Sequence, residues 1–258
     1  MTEIRYALLD PTGNQTILVE SEVPPECQPS VARQIMDLEP EAEQAGFVRA
    51  RPGGISLRMA GGEFCGNAAM SAAALYAFEN GIAEGTIPVT VSGTPDPVAV
   101  TVSALPDGRM KGRVEMPRPV SVGEENLPGG MRAPVVRFHG ISHVILESPL
   151  DRETAERLAP VWCRGLNAES AGIMMFDREA GSLVPLVYVP TAGTLFWENS
   201  CASGTTAVGA FLAAKEGSVS LDLRQPGGTL HVESDADGKL FLTGTVRLRV
   251  RRTASVLI

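Results

Sequence analysis

One cysteine-centred segment occurs twice in this chain, and that repetition limits the possible folds more than any other feature. Gly62-Glu63-Phe64-Cys65-Gly66-Asn67-Ala68-Ala69 lies in the first half and Glu198-Asn199-Ser200-Cys201-Ala202-Ser203-Gly204-Thr205 in the second. Each cysteine is followed by small residues and then by an alanine-rich run, Met70 to Phe78 in one copy and Ala207 to Ala214 in the other. Each run ends at a glycine sixteen residues beyond its cysteine, Gly81 or Gly217. This pattern predicts a helix that starts at the cysteine and stops at the glycine. A thiol there faces the unbonded N–H groups of the first turn and the positive end of the macrodipole, which favour thiolate over thiol. Two such cysteines predict two matched acid–base groups serving one site.

The repeat extends further. Strand-like segments precede each cysteine, Ile55 to Met59 and Leu183 to Val189, and pairs of strand-like segments follow each helix. These are Ile87 to Gly93 with Val98 to Val102, and Val219 to Leu223 with Leu230 to Glu233, the second pair joined by Gln225-Pro226-Gly227-Gly228. Alternation and β-branched content support the strands. A duplicated α/β unit of roughly 120 residues fits. Further helices are expected over Pro29 to Glu39 and Arg152 to Leu158. The Pro- and Gly-rich segment from Arg118 to Arg132 reads as the linker between two domains.

Several function classes are disfavoured. The net charge of −8 argues against nucleic acid or an anionic membrane as partner, since both require a basic surface. No apolar run approaches the roughly 20 residues of a membrane span. The start, Met1-Thr2-Glu3-Ile4-Arg5, carries no signal-peptide pattern, so a cytoplasmic protein with reduced thiols is expected. Four cysteines (Cys27, Cys65, Cys163, Cys201) form no C-x-x-C pair, and His139, His143 and His231 complete no zinc spacing, so no metal site is expected. Cys27 and Cys163 lack the repeated context and read as small buried hydrophobes. No lysine lies in a recognisable pyridoxal-phosphate context, and no cofactor is expected.

The chemistry follows from duplication. Two helix N-termini facing one another give a thiol on each wall and backbone N–H donors at Gly66, Asn67, Ala202 and Ser203, which suit a carboxylate. An α-amino acid held by that carboxylate presents its Cα between two sulfurs. One thiolate takes the α-proton from one face and the other thiol returns a proton to the opposite face, inverting the centre. The donors must stabilise the negative charge that develops on the carboxylate.

The two cysteine segments, with Pro11-Thr12-Gly13-Asn14 near the N-terminus, resemble the diaminopimelate epimerase and proline racemase superfamily of cofactor-independent racemases. Cys65-Gly66-Asn67 matches its first motif; Cys201-Ala202-Ser203-Gly204 matches its second, with Ala202 where glycine is usual. The resemblance implies an α/β (α+β) fold of two pseudo-symmetric domains, each a curved sheet or barrel around a central helix, with the site in the cleft between them. On that pattern the first domain spans 1–117, completed by a strand at 246–258, and the second spans 118–245. It also implies an amino-acid substrate and a homodimer. The distal contacts of the diaminopimelate branch are missing, since Ile141 stands where asparagine is expected and Phe196-Trp197-Glu198-Asn199-Ser200 is shortened. Pro11 to Val19, Glu43-Gln44-Ala45-Gly46-Phe47, Glu63 to Ala68, Trp197 to Cys201 and Gln225 to Gly228 instead resemble the histidine racemases of staphylopine-type metallophore biosynthesis. This implies interconversion of L- and D-histidine for an opine-type chelator. The alternatives are diaminopimelate epimerase or a racemase of another amino acid, an isomerase of the phenazine-biosynthesis type without two-thiol chemistry, and a non-catalytic amino-acid binder.

By the same resemblance, catalytic roles fall on Cys65, Cys201, Glu198 near the substrate amine, and His143 as an auxiliary histidine in Gly140-Ile141-Ser142-His143. Glu43 is placed to pair with an imidazole. Asn14, Gly66, Asn67, Asn199, Ala202 and Ser203 are the expected substrate-binding residues. Each has an ordinary alternative. Turn asparagines such as Asn14 often serve only as left-handed formers. Charged runs such as Glu39-Pro40-Glu41-Ala42-Glu43 are usually solvated. Glu198 could simply favour a helix start, and His143 could be a satisfied core histidine. His139 and His231 read as structural.

Overall fold

The computed structural model describes residues 1–191 and 193–258. The chain divides into two compact units, Met1–Glu115 with Thr243–Ile258, and Met116–Leu242. The first holds β1 (Thr2–Pro11), β2 (Thr16–Val19), α1 (Gln28–Leu38), β3 (Gln44–Arg51), β4 (Gly54–Met59), α2 (Gly66–Asn80), β5 (Glu84–Val91), β6 (Val98–Ala104) and β7 (Met110–Glu115). The second holds β8 (Ser121–Asn126), β9 (Arg132–Phe138), β10 (Ile141–Leu146), α3 (Arg152–Gly165), β11 (Ala171–Asp177), β12 (Ser182–Val189), β13 (Thr194–Trp197), α4 (Ala202–Glu216), β14 (Ser220–Gln225) and β15 (Gly228–Ser234). The last strand, β16 (Leu240–Val256), begins in the second unit and runs on into the first.

In the first unit the strands run β1-β2-β3-β4-β5-β6-β7-β16, and β16 pairs back onto β1, so eight strands close on themselves. In the second the order is β8-β9-β10-β11-β12-β14-β15 followed by the start of β16, with β13 added beside β12. The joins repeat. β2–β3 and β4–β5 are parallel, with β3–β4 and β5–β6 antiparallel. Likewise β10–β11 and β12–β14 are parallel, with β11–β12 and β14–β15 antiparallel. Each unit is therefore one copy of the same α/β topology.

The curvature explains the composition of the two motif helices. α2 packs against all seven strands β1 to β7, and α4 against β8 to β11, β14 and β15. A helix ringed by strands has no side for polar residues and no space for bulky ones. α2 is accordingly buried from Gly66 through Leu75, and α4 from Gly204 through Ala210. Both helices end on a left-handed glycine, Gly81 at φ 64° and Gly217 at φ 87°, as the spacing predicts. α1, in contrast, is amphipathic: it lays Val31, Ala32 and Ile35 on an apolar cluster with Ile4, Tyr6, Ile17 and Phe47.

Two expectations need correction. The segment from Arg118 to Arg132 is not a plain linker. It contains β8, which pairs along its length with β9 from Ser121↔Arg137 to Asn126↔Arg132. Its side chains are mostly exposed, so backbone pairing holds it and the apolar alternation that marks a strand is missing. α3 also does not stop at Leu158 but continues through Pro160 to Gly165. Ala155, Ala159, Trp162 and Cys163 are all buried on it, and that packing outweighs the hydrogen bond Pro160 cannot make. Among the described residues no helix is long and apolar enough to cross a membrane.

The enclosed helices should tolerate enlargement poorly. Ala73 is fully buried in α2. We expect Ala73→Leu to overpack the barrel at a cost of about 1–3 kcal/mol, lowering the thermal midpoint by roughly 3–10 °C in a circular-dichroism melt.

Candidate active site

Both motif cysteines occupy the N-cap position of their buried helices. The Cys65 sulfur accepts the Ala68 N–H at 3.4 Å, and the Cys201 sulfur accepts the Gly204 N–H at 3.3 Å. A sulfur thus fills the place where an oxygen side chain usually satisfies the first helical turn. Cys27 also precedes a helix, but its side chain caps nothing and packs against the apolar cluster under α1. Cys163 lies inside α3, where burial pushes its thiol up and its Sγ donates to the Ala168 carbonyl at 3.3 Å.

The first unit wires Cys65 through amides. Its thiol donates to Gln44 Oε1 at 2.9 Å. Gln44 Nε2 donates to Asn14 Oδ1 at 2.7 Å and to Thr16 Oγ1 at 2.9 Å. Asn14 Nδ2 then donates to Glu43 Oε2 at 2.6 Å. Asn14 lies just past a turn in which Asp10 Oδ1 accepts the Gly13 N–H at 2.6 Å, and it is only 3% exposed. Asn14, Glu43 and Cys65 are therefore brought together, and the connecting residue is Gln44. Sequence reasoning did not single out Gln44 as a site residue. Its adjacency to Glu43 at the start of β3 was the available signal. Gly66 and Asn67 are the first residues of α2, both buried.

The second unit surrounds Cys201 differently. His143, fully buried on β10, lies 3.0 Å by Nε2 from Ser203 Oγ, which in turn is 3.6 Å from Cys201 Sγ. The Cys201 N–H donates to Gln225 Oε1 at 2.8 Å; Gln225 Nε2 donates to Thr205 Oγ1 at 2.8 Å, and the Thr205 hydroxyl donates to the Cys201 carbonyl at 2.7 Å. The Gln225-Pro226-Gly227-Gly228 segment reads in the sequence as a turn within a family-like stretch, with no sign that Gln225 braces the cysteine backbone. The Asn199 carbonyl accepts from the Gly227 N–H at 2.8 Å, tying the loop before the cysteine to the same turn. Gly204 allows the close approach of α4 to β11, since a Cβ there would overlap Met174 Sδ and crowd the Cys201 sulfur. Trp197 faces away from this group: its indole donates to Glu156 at 2.7 Å and its ring lies under the Arg152 guanidinium. His139 is exposed, and His231 Nδ1 lies 2.8 Å from Asp222 Oδ1.

The electrostatics qualify the simple thiolate expectation. Burial, and after it the Glu198 carboxylate with its hydrogen bond, push the Cys201 thiol well above its ordinary range. The contacts from Ser203 and the Gly204 N–H pull the other way and are outweighed. Cys201 therefore rests as a thiol, because desolvation of a 3% exposed sulfur exceeds what the helix terminus returns. Burial also pushes the His143 ring down to about 3, so the ring is neutral.

The comparisons with known proteins agree with this geometry. The family model for the histidine racemase CntK N-terminal domain matches residues 3–255. The chain belongs to the histidine racemase family. A histidine racemase of Fusobacterium nucleatum is 33% identical over 254 residues, covering 94% of each chain. A histidine racemase of Staphylococcus aureus is 29% identical, covering 98% of this chain and 96% of that one. Among solved structures, a hydroxyproline epimerase of Agrobacterium vitis with bound trans-4-hydroxy-L-proline superposes with a TM-score of 0.69 at 11% identity, over 97% of this chain and 92% of that one. This chain thus has the two-domain epimerase-like fold, with a cysteine cap in each copy.

The buried neutral histidine has a measurable consequence. In the unfolded chain His143 takes up a proton near pH 6.5, whereas the folded ring does so only near 3. Between those values the unfolded state binds the extra proton, so stability falls as the pH falls through that window. Chemical denaturation at several pH values should show a shallower acid slope for His143→Phe than for the wild type.

Proposed function

We propose that this chain interconverts L- and D-histidine, with Cys65 and Cys201 as the two acid–base groups acting on opposite faces of one Cα. The observation that carries the reading is the pair of cysteine N-caps, one in each copy of the fold, in a histidine racemase family member. In one direction a thiolate accepts the α-proton. The C–H pair stays on Cα and spreads into the substrate carboxylate, and the opposite thiol gives its proton to the other face. For the reverse reaction the cysteines exchange roles. The backbone N–H groups at the helix starts, Gly66 and Asn67 in one unit and Ala202 and Ser203 in the other, are the donors for the carboxylate as its charge grows. No electron sink is required.

Glu198 has two tasks in this scheme. It adds to the effect of burial in holding Cys201 as a thiol. When the substrate ammonium arrives beside it, the cation neutralises that carboxylate and removes its opposition to a Cys201 thiolate. Asn14 and Glu43, joined by a 2.6 Å hydrogen bond, are the proposed contacts to the substrate, with Glu43 taking the imidazole. Asn199 places the loop before Cys201. A cytoplasmic homodimer and a product destined for an opine-type metal chelator belong to the same proposal and rest on the family resemblance.

The test is a chiral assay with protein dialysed against chelator and supplied with no pyridoxal phosphate. L- and D-histidine should each be converted to the racemate, with solvent deuterium entering the α-position. Cys65→Ser and Cys201→Ser should each lose about 10²–10⁴-fold in racemisation, the usual contribution of one acid–base group. Near wild-type activity in either would remove that cysteine from the mechanism.

Substrate choice gives a second test. Ile141 offers no polar contact where the diaminopimelate branch has an asparagine, and a buried distal carboxylate left unpaired costs on the order of 3–5 kcal/mol. That corresponds to about 10²–10⁴-fold in kcat/KM. Histidine should therefore exceed either diaminopimelate isomer by at least that factor, and Glu43→Gln should reduce turnover of histidine. Equal kcat/KM for the two amino acids would overturn the substrate and leave the racemase.

A further inference from the structure

We propose that the Ser203 side chain is the hydroxyl donor that steadies the Cys201 thiolate, and that His143 is a positioning residue that keeps the hydroxyl turned towards the sulfur. This rests on the reading of Cys201 as an acid–base group. It gives the Ser203 side chain a task separate from that of its backbone N–H.

The argument begins at the far side of the ring. His143 Nδ1 is buried with no hydrogen-bond partner among the described residues. The residue opposite His143 on β11 is Gly172, and a Cβ there would overlap Nδ1. Gly172 therefore makes room for the ring and offers it no side chain to bond. Phe138 meets the ring edge-on at 6.1 Å between centroids and offers no acceptor either. A neutral imidazole carries one N–H. On Nδ1 that proton would be a buried donor with nothing to receive it. On Nε2 it has Ser203 Oγ at 3.0 Å. The surroundings thus select the Nε2–H tautomer, and the ring donates to the serine.

That choice fixes the hydroxyl. Once Ser203 Oγ accepts from the ring it cannot turn its own proton back to Nε2. Among the described residues the other hydrogen-bonding neighbour of the hydroxyl is the Cys201 sulfur at 3.6 Å, within range of a donor to sulfur. The sense is His143 Nε2–H to Ser203 Oγ–H to Cys201 Sγ, with no proton transferred along it. Around that sulfur burial, and after it Glu198, which accepts from the thiol, favour its proton; Ser203 and the Gly204 N–H favour its loss. Among the described residues Glu198 is the charged group whose effect on Cys201 is resolved, and the ring's own shift has burial as its cause. Full burial and a ring that stays neutral down to about pH 3 keep this orientation constant over the working range. A titrating histidine would switch it.

The experiment measures the pH dependence of Cys201 labelling by methyl methanethiosulfonate in the full chain, read by peptide mass spectrometry, with Cys65 in the same sample as control. Ser203→Ala should move the Cys201 midpoint up by about one pH unit, a tenfold slower labelling below it, as loss of one hydrogen bond to a charged group implies. Ser203→Thr, which keeps the hydroxyl, should leave it in place. His143→Phe should shift it in the same direction, and the Ser203→Ala, His143→Phe double variant should shift it no further than Ser203→Ala alone. The Cys65 profile should be unchanged throughout, which separates the effect from general unfolding. If His143→Phe does not fold, the Ser203 pair decides. ¹⁵N NMR of histidine-labelled protein reads the tautomer directly, and Nε2–H is expected for His143. An unmoved midpoint in Ser203→Ala, additive shifts in the double variant, or an Nδ1–H ring would overturn the proposal. None of these readouts needs racemase activity, so failure of the histidine assay is a separate result.

Discussion

Everything at the candidate site depends on the enclosure of a helix by its own sheet. Because strands surround α2 and α4, both helices are built from alanine, glycine and other small residues, and neither presents an amphipathic stripe. Enclosure also leaves the first-turn N–H groups of each helix in a site from which water is largely removed, where unpaired donors are costly and favourable contacts strong. A sulfur cap at that point is held in place by the fold itself. The same desolvation that strengthens the donors also raises the energy of the bare thiolate, so such a cap does not ionise without help from its neighbours.

The two copies of the fold surround their sulfurs with different neighbours. Cys65 hydrogen-bonds to the oxygen of Gln44, whose amide is held in one orientation because its nitrogen already bonds Asn14 and Thr16. Cys201 sits between a carboxylate and a hydroxyl, which act in opposite senses. Topology was duplicated, but the strand residues beneath the sulfurs diverged. In the first copy a glutamine on β3 reaches the thiol; in the second β11 carries glycine and the histidine of the neighbouring strand fills its space. A racemase needs its two bases to work in turn, and identical surroundings are not required for that.

The parts of this protein legible in its sequence are those with local rules. The cysteine, small-residue, alanine-run and glycine pattern encodes a complete helix with both ends, so α2 and α4 could be placed closely. The expected acidic and amide residues Asn14, Glu43 and Glu198 came from motif resemblance, and the structure places each in the hydrogen-bonded or charged surroundings of its cysteine. Gln44 and Gln225 were not legible as site residues, because a glutamine reaching across strands leaves no periodic or spacing signal. α3 was cut short because Pro160 is a strong local stop, and only the burial of Trp162 and Cys163, invisible in the local sequence, carries the helix past it. β8 was hidden for the opposite reason: its side chains are mostly exposed, and it is held by its backbone.

β16 has a consequence for how the protein is made. Its early residues belong to the second unit, and its later ones, from Val246, pair with β1 to close the first. A ribosome therefore releases the first 115 residues as an unfinished barrel, with one flank of β1 lacking its partner. The second unit, Met116–Leu242, is contiguous and can collapse while the first still waits. The unit that begins earliest in the chain is the one that closes last. The pairing of Thr2 with Val256 joins residues far apart in sequence, a long loop closure that must be made before the barrel around α2 is complete.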